Sequence, residues 1–320
     1  MKKKIILFLI IALLSTNLYG CANEKATVTT TVYAVKYLVE QLASDKVDVE
    51  YISSDEFIQR ATIVDNYDEI LQKTTVFFYI DGLEPYMDIY PEILQNYDME
   101  VINLADLSAI DDFKRYKSLK VGSETVMREE EYYDSELFAH VDTYGKDPFI
   151  WLDPIAMSSM AATIKEWLKS YYPEDTLTFE NRFRELQQTF VRMDAEFQSL
   201  KDIDNIKFVS LTASFGNWQK LYGIEVYPLI LSKYGSLPTD EQLAFIENEI
   251  KQNNVKYIVY DDTIIDEDMI ALYEKVKSDL SLSEIELSSL SRLSENDIEK
   301  NKNYITIMYE NLTALEKAFK

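Results

Sequence analysis

Asp147-Pro148-Phe149-Ile150-Trp151-Leu152-Asp153-Pro154 is the stretch around which the 320-residue sequence is arranged. It holds two of the seven prolines and one of the three tryptophans. Proline fixes its own φ and pushes the preceding residue out of the helical region, so each Asp-Pro pair makes a rigid end. The four apolar residues between those ends form a short buried segment, a poor solvent linker. Two readings fit it: a structural crossover between two lobes, or a segment lying across a cleft that presents a side chain to a ligand.

On its N-terminal side the pattern is α/β. Thr27 to Tyr33 alternates Val28, Thr30 and Val32 and reads as a strand, and Ala34, Val35, Leu38, Val39 and Leu42 recur at helical spacing up to about Asp45. Val47 to Ile52 is a second strand. Thr75 to Ile80 is an apolar run of the kind buried on both faces of a parallel sheet, Gly82-Leu83-Glu84-Pro85 opens a helix, and Glu100 to Leu104 closes the unit. From Asp106 to Gly145 the pattern weakens. The acids Glu129, Glu130 and Glu131 beside Tyr132 and Tyr133 suggest a solvated loop, which also carries His140, the one histidine of the chain.

On its C-terminal side come helices. Ala156 to Tyr171 has an apolar face, Pro173 with Glu174 and Asp175 restarts the helix, and Phe179, Phe183, Leu186, Phe190, Met193 and Phe197 carry it to about Leu200. A helix of that length spans a small domain and reads as a rigid spine between two lobes. The second lobe repeats the first in style. Strands at Ile206 to Leu211, Glu225 to Ile230 and Val255 to Tyr260 alternate with a short helix at Phe215 to Tyr222 and a helix opened by the capping box Thr239-Asp240-Glu241-Gln242. The third strand ends at Asp261-Asp262, where parallel strands deliver loops to a ligand crevice. A terminal amphipathic helix runs from about Asp297 to Phe319. The fold class is therefore α/β, with two parallel-sheet lobes and a long helix between them.

Composition narrows the function. Lys and Arg total 32 against 56 Asp and Glu, a net charge of −24, so the chain is repelled by nucleic acid and by anionic lipid. Lys2 to Lys4, the apolar run Ile5 to Leu14 and Leu18-Tyr19-Gly20 before Cys21 form an export leader. Its end resembles the bacterial lipoprotein cleavage box, which makes Cys21 the lipidated first residue of the mature chain. With a single cysteine there is no intramolecular disulfide and no cysteine-based metal cluster. Seven glycines form no phosphate-cradling loop, no Gly-x-Ser-x-Gly elbow occurs, and a Ser/His/Asp triad would depend on His140 alone, so we expect no enzyme. The expected organisation is a leader at 1–20, a tether at 21–26, a first lobe at 27–150, crossover and spine at 151–204, and a second lobe with its terminal helix at 205–320.

The leader with Cys21, Gly82-Leu83-Glu84-Pro85 after a strand, the Asp-Pro segment, the spine interrupted at Pro173, Phe215-Gly216 followed by Tyr222-Gly223, and Tyr304-x-x-x-Met308-x-x-Asn311-Leu312 occur together in this order. Together they resemble the zinc/manganese receptor lipoproteins of bacterial ABC importers, the adhesin-type solute-binding proteins, over nearly all of the mature chain. The resemblance implies two α/β lobes on one long helix, a metal held in the cleft and handed to a permease with its ATPase, and a monomer anchored to the extracytoplasmic face of the membrane through Cys21.

The ligand positions depart from the family pattern. Where the resemblance implies a histidine between Asp-Pro and Ile-Trp, this sequence has Phe149; the ligand just before Phe-Gly falls on Thr212; the first-lobe histidine falls at or next to Gln59. The acidic fourth ligand falls on Asp261, with Asp262 and Asp266 as alternatives. The histidine-rich loop before the hinge is reduced to His140. Tight zinc sites use imidazole or thiolate donors, typically four, whereas Gln, Thr and Asp offer oxygens that suit calcium, magnesium or manganese. The expectation is a receptor whose high-affinity zinc site is lost or whose ligand is altered, with a divalent metal held weakly if at all. Phe149 would then fill the metal cavity or offer a stacking face to an organic ligand. The competing expectation is a non-transporting surface lipoprotein, an adhesin or scaffold, on the same fold.

Overall fold

The computed structural model describes residues 25–54, 57–89, 92–122, 124–130 and 132–320; the leader and Cys21 lie outside them. The first lobe contains β1 (Ala26–Thr30), α1 (Tyr33–Ala43), β2 (Val47–Tyr51), α2 (Tyr67–Leu71), β3 (Val76–Tyr79), α3 (Pro85–Ile89) and β4 (Glu100–Asn103). Its strands form a sheet in the order β2-β1-β3-β4. Every neighbour is parallel, with Val28 opposite both Val49 and Val76. The apolar β3 sits inside the sheet, where Val76, Phe77 and Phe78 are sealed from water.

The segment from Asp147 to Pro154 is a buried crossover. Ile150 to Leu152 form a single 3-10 turn, fully buried with Phe149. The second lobe holds this turn by its polar atoms: the Trp151 indole donates to Ser289 O at 2.8 Å and the Trp218 indole to Leu152 O at 3.0 Å. Asn217 Nδ2 donates to Phe149 O at 3.0 Å and Tyr304 OH to Trp151 O at 2.6 Å. Asp153 then caps α4 (Pro154–Tyr171), accepting from Ile155 N at 2.7 Å with Pro154 in the first turn.

The spine is α5 (Thr176–Gln198), 23 residues, or about 35 Å at 1.5 Å per residue. Phe179, Leu186, Phe190, Met193 and Phe197 form its buried stripe; Phe183 is only half-buried, with Lys165 Nζ 4.4 Å above its ring. Near one end Arg182 donates to Leu42 O of α1, and at the other Phe197 packs 5.7 Å from Trp218, so one helix touches both lobes.

The second lobe comprises β7 (Lys207–Thr212), α6 (Asn217–Tyr222), β8 (Glu225–Ile230), α7 (Asp240–Gln252), β9 (Tyr257–Tyr260), α8 (Glu267–Asp279) and β10 (Ser283–Glu286). Its sheet is parallel in the order β10-β9-β7-β8. The capping box at Thr239 opens α7 as the sequence suggests. Hydrophobic periodicity left α8 and β10 unassigned. One continuous apolar core runs through both lobes, with a satellite of Ile52, Ala61, Leu71, Phe77 and Tyr86 under the first sheet.

Two expectations are corrected. The weakly patterned stretch before the crossover is no simple solvated loop: β5 (Arg115–Val121) and β6 (Glu124–Glu130) pair antiparallel, and Tyr132 and Tyr133 are buried. Tyr133 stacks on Phe113 and Tyr132 on Phe245 of α7, so these tyrosines belong to a core that their acidic neighbours disguise. The terminal helix is two helices, α9 (Glu295–Glu299) and α10 (Tyr304–Phe319). Asn301 takes a left-handed φ of 51°, and Asn303 caps the new helix by accepting from Thr306 N at 3.0 Å. Among the described residues no helix is long and apolar enough to cross a membrane.

Candidate functional site

Both sheets turn the C-terminal ends of their strands toward one interlobe crevice. The chain after β1 meets the chain after β10, Tyr33 N donating to Ser291 O at 3.2 Å. The loop after β2 reaches the loops after β8 and β9 through Arg60, whose Nε and Nη2 donate to Gly235 O at 3.1 and 2.9 Å and whose Nη1 pairs with Asp266 at 2.6 Å. Lys233, also after β8, pairs with Asp88 of α3 at 2.8 Å. Crevices of this kind, outside the carboxyl ends of parallel strands, are where open α/β proteins bind ligands. Between the lobes Thr31, Tyr51, Ser53, Ile58, Ser291 and Arg292 line a cavity of about 30 Å³, room for a water or two, and Tyr51, Ser53 and Arg292 also line a wider groove of about 1270 Å³.

The residues marked by the sequence lie on loops and strand ends of both lobes, and none of them lines that small cavity; each has its own local commitments. Gln59 lies on the 3-10 turn Ile58–Arg60, 2% exposed, and its Oε1 finds no partner among the described residues. Phe149 is fully buried, edge-on to Tyr144 and to Trp151, each with centroids 5.5 Å away. Thr212 ends β7, its hydroxyl 2.7 Å from Ser214 Oγ. Asp261 follows β9, and Oδ1 accepts from the amide and hydroxyl of Thr263 while Oδ2 accepts from Ser289 N at 2.9 Å. The β7–β9 register sets Phe208 against Tyr257 and Val209 against Ile258, which carried forward brings Thr212 level with Asp261. Of the alternatives, Asp262 lines the wider groove with Tyr33, Lys36 and Lys302, and Asp266 caps α8 while holding Arg60. His140 is exposed and lines a cavity of about 290 Å³ with Asp142, Leu231 and Gln242. Among the described residues no hydrogen bond joins any two of Gln59, Phe149, Thr212 and Asp261, and no group of three or more His, Cys, Asp or Glu is arranged to hold a metal ion.

Two buried carboxyls that the sequence did not single out as site residues adjoin these positions, Glu84 through Thr31 and Asp147 through the Phe149 amide. Glu84 is 1% exposed; the Thr31 hydroxyl donates to its Oε1, and Oε2 has no partner. Burial raises its pKa from 4.5 to about 8, against the lowering pull of Thr31. Asp147 is sealed in the crossover. Burial raises it to about 7, opposed by the Phe149 amide that donates to it at 3.0 Å. A buried acid with a raised pKa is neutral over much of the physiological range and is a poor ligand for a cation. Arg60 was missed as well. The signal was present: it is the one basic residue between Lys46 and Lys73, in a stretch otherwise rich in acids.

With this geometry in place the chain can be compared with known proteins. A zinc-binding lipoprotein, AdcA, of Streptococcus pneumoniae is 24% identical over 98% of this chain, which spans only 61% of that relative's length. A high-affinity zinc uptake system protein, ZnuA, of Bacillus subtilis is 24% identical over 59% of this chain and 58% of its own. Among solved structures, a mutant of the laminin-binding adhesin Lmb from Streptococcus agalactiae superposes with a TM-score of 0.71 at 18% identity, covering 92% of this chain and 100% of that one. The Zn(II)-bound ZnuA-like domain of Streptococcus pneumoniae AdcA gives a TM-score of 0.67 at 20% identity, covering 92% and 99%. These likenesses show the fold. The model of the family described as ZnuA, zinc-uptake complex component A, periplasmic, matches residues 28–318, nearly the whole described structure, and the chain belongs to that family.

Proposed function

We propose that this chain is the extracytoplasmic substrate-binding component of a zinc-type ABC importer, a binding protein rather than an enzyme. In this reading Cys21 anchors it to the membrane by lipid, and a permease and its ATPase take the cargo. The family match across both lobes carries the reading. The two parallel sheets opening on one crevice supply the mechanism: loops from opposite lobes meet around a ligand and separate to release it.

We further infer that the cargo site is rewritten. At the four family positions, Gln59, Phe149, Thr212 and Asp261 offer neutral oxygens, a phenyl ring and one carboxylate whose oxygens already accept three hydrogen bonds. That donor set lacks the nitrogens and sulfurs of a tight zinc site. Isothermal titration of the metal-free protein with zinc and manganese tests this. Binding weaker than micromolar is expected for both; micromolar or tighter zinc binding would overturn the rewritten site and leave the receptor reading in place. Zinc uptake in a deletion strain complemented with this chain tests the receptor reading itself, and no restoration would favour a non-transporting surface lipoprotein.

A further inference from the structure

The strap at 232–237, which leaves the second sheet after β8, is held to residues of the first lobe by one backbone bond, Lys233 N to Asp142 O at 2.7 Å, and at two further points by side chains. Lys233 reaches Asp88 at 2.8 Å. Two residues on, Gly235 O receives two bonds from the Arg60 fork, whose remaining arm pairs with Asp266 at 2.6 Å. Arg60 and Asp266 are both about 30% exposed as side chains, so this pair is partly withdrawn from solvent. A fork bonded to a carbonyl and a carboxylate at once is fixed in orientation as well as position.

The backbone is shaped for this contact. Gly235 has φ +66°, in the left-handed region. A Cβ there would stand 2.9 Å from Arg60 Cγ and 3.4 Å from Gln59 Cβ, so only glycine lets the strap close over this side chain. Arg60 follows Gln59 directly, a position where the family resemblance implies a metal ligand, and occupies Asp266, an alternative to Asp261 for the acidic one. The guanidinium delivers a fixed positive charge to the junction that a bound metal would otherwise join.

We propose that Arg60 is the resident cation of the crevice: by bridging Gly235 O and Asp266 it clasps the 232–237 strap to the first lobe and keeps the lobes together with no metal bound. The inference rests on the rewritten cargo site. It goes further in assigning the closing charge to a side chain, which makes closure independent of metal and sets Arg60 against divalent cations at Asp266.

Hydrogen exchange in EDTA tests it. In Arg60→Met, exchange at 232–237 is expected to speed at least tenfold while α5 and β7 exchange as in wild type, and the radius of gyration in X-ray scattering is expected to rise. Asp266→Asn, which leaves both bonds to Gly235 O, should accelerate the strap less. Adding zinc or manganese chloride to wild type should leave strap exchange unchanged. Unaltered strap exchange in Arg60→Met overturns the clasp. Uniform acceleration through α5 and β7 also overturns it, since Arg60 would then support the whole fold. Slower wild-type strap exchange on adding either metal overturns it as well, because a metal would then complete the closure. None of these readouts depends on transport, so the clasp and the receptor reading fail separately.

Discussion

A carboxyl without a cationic partner, sealed from water, holds its proton, and Glu84 does so on the first-lobe side of the crevice with Oε2 unpaired. In the unfolded chain it ionises near 4.5 and in the folded chain near 8, so between those values the native state binds the extra proton and stability falls as pH rises. Glu84→Gln keeps the acceptor for Thr31 and cannot ionise. We expect the urea midpoint of the variant to lose much of its decline between pH 5 and 8, with a gain of about 1 kcal/mol or more at pH 8; an unchanged pH profile would mean that Glu84 ionises freely. Gly216 is a steric counterpart. Any Cβ there would collide with the Asp147 carboxylate, which is locked by the Phe149 amide. Gly216→Ala is expected to cost about 2 kcal/mol, the usual scale for overpacking, and a melting temperature equal to wild type would show that the crossover has slack.

Among the elements, the β5–β6 hairpin shows how an edge strand is held without extending a sheet. Tyr116 N donates to Gln219 Oε1 and Ser118 N to Glu225 Oε1, so side chains of α6 and β8 take amides that would otherwise be exposed. The fully buried Arg115 lies 4.1 Å over the Tyr227 ring, with Glu225 and Glu130 at 3.7 and 3.8 Å. Removing that charge leaves Glu225 buried and uncompensated. Arg115→Met should therefore cost about 3 kcal/mol in chemical denaturation, and Arg115→Met/Glu225→Gln should recover most of it. A single variant within about 0.5 kcal/mol of wild type would show that the hairpin is anchored by its aromatic contacts alone. The hairpin was illegible in the sequence because its alternation is written in charged residues, and its buried tyrosines sit directly after an acidic run.

For the whole molecule, the arrangement of two lobes on one helix makes the crevice the place where a change of donors has the largest effect. If Gln59, Phe149 and Thr212 are the ligand positions, the triple variant Gln59→His/Phe149→His/Thr212→His gains zinc binding measurable by calorimetry, because imidazole nitrogens then face Asp261. Absence of any gain would mean that the positions are misassigned. The triple variant also tests whether the strand ends held by Arg60 leave space for an ion, since the cavity between Thr31, Ile58 and Ser291 is only about 30 Å³.

The sequence by itself determined the α/β class, the parallel strands, the crossover at 147–154 and the spine, because each follows from local periodicity, proline and cap chemistry within a few consecutive residues. It also determined which donors stand at the family positions, since identity there is a matter of composition. Only the tertiary structure decided that Glu84 and Asp147 are sealed, that Tyr132 and Tyr133 belong to the core, and that Arg60 spans from one lobe to Gly235 and Asp266 in the other. Those facts depend on burial and on partners 175 and 206 residues away in the chain, distances over which no local pattern carries information.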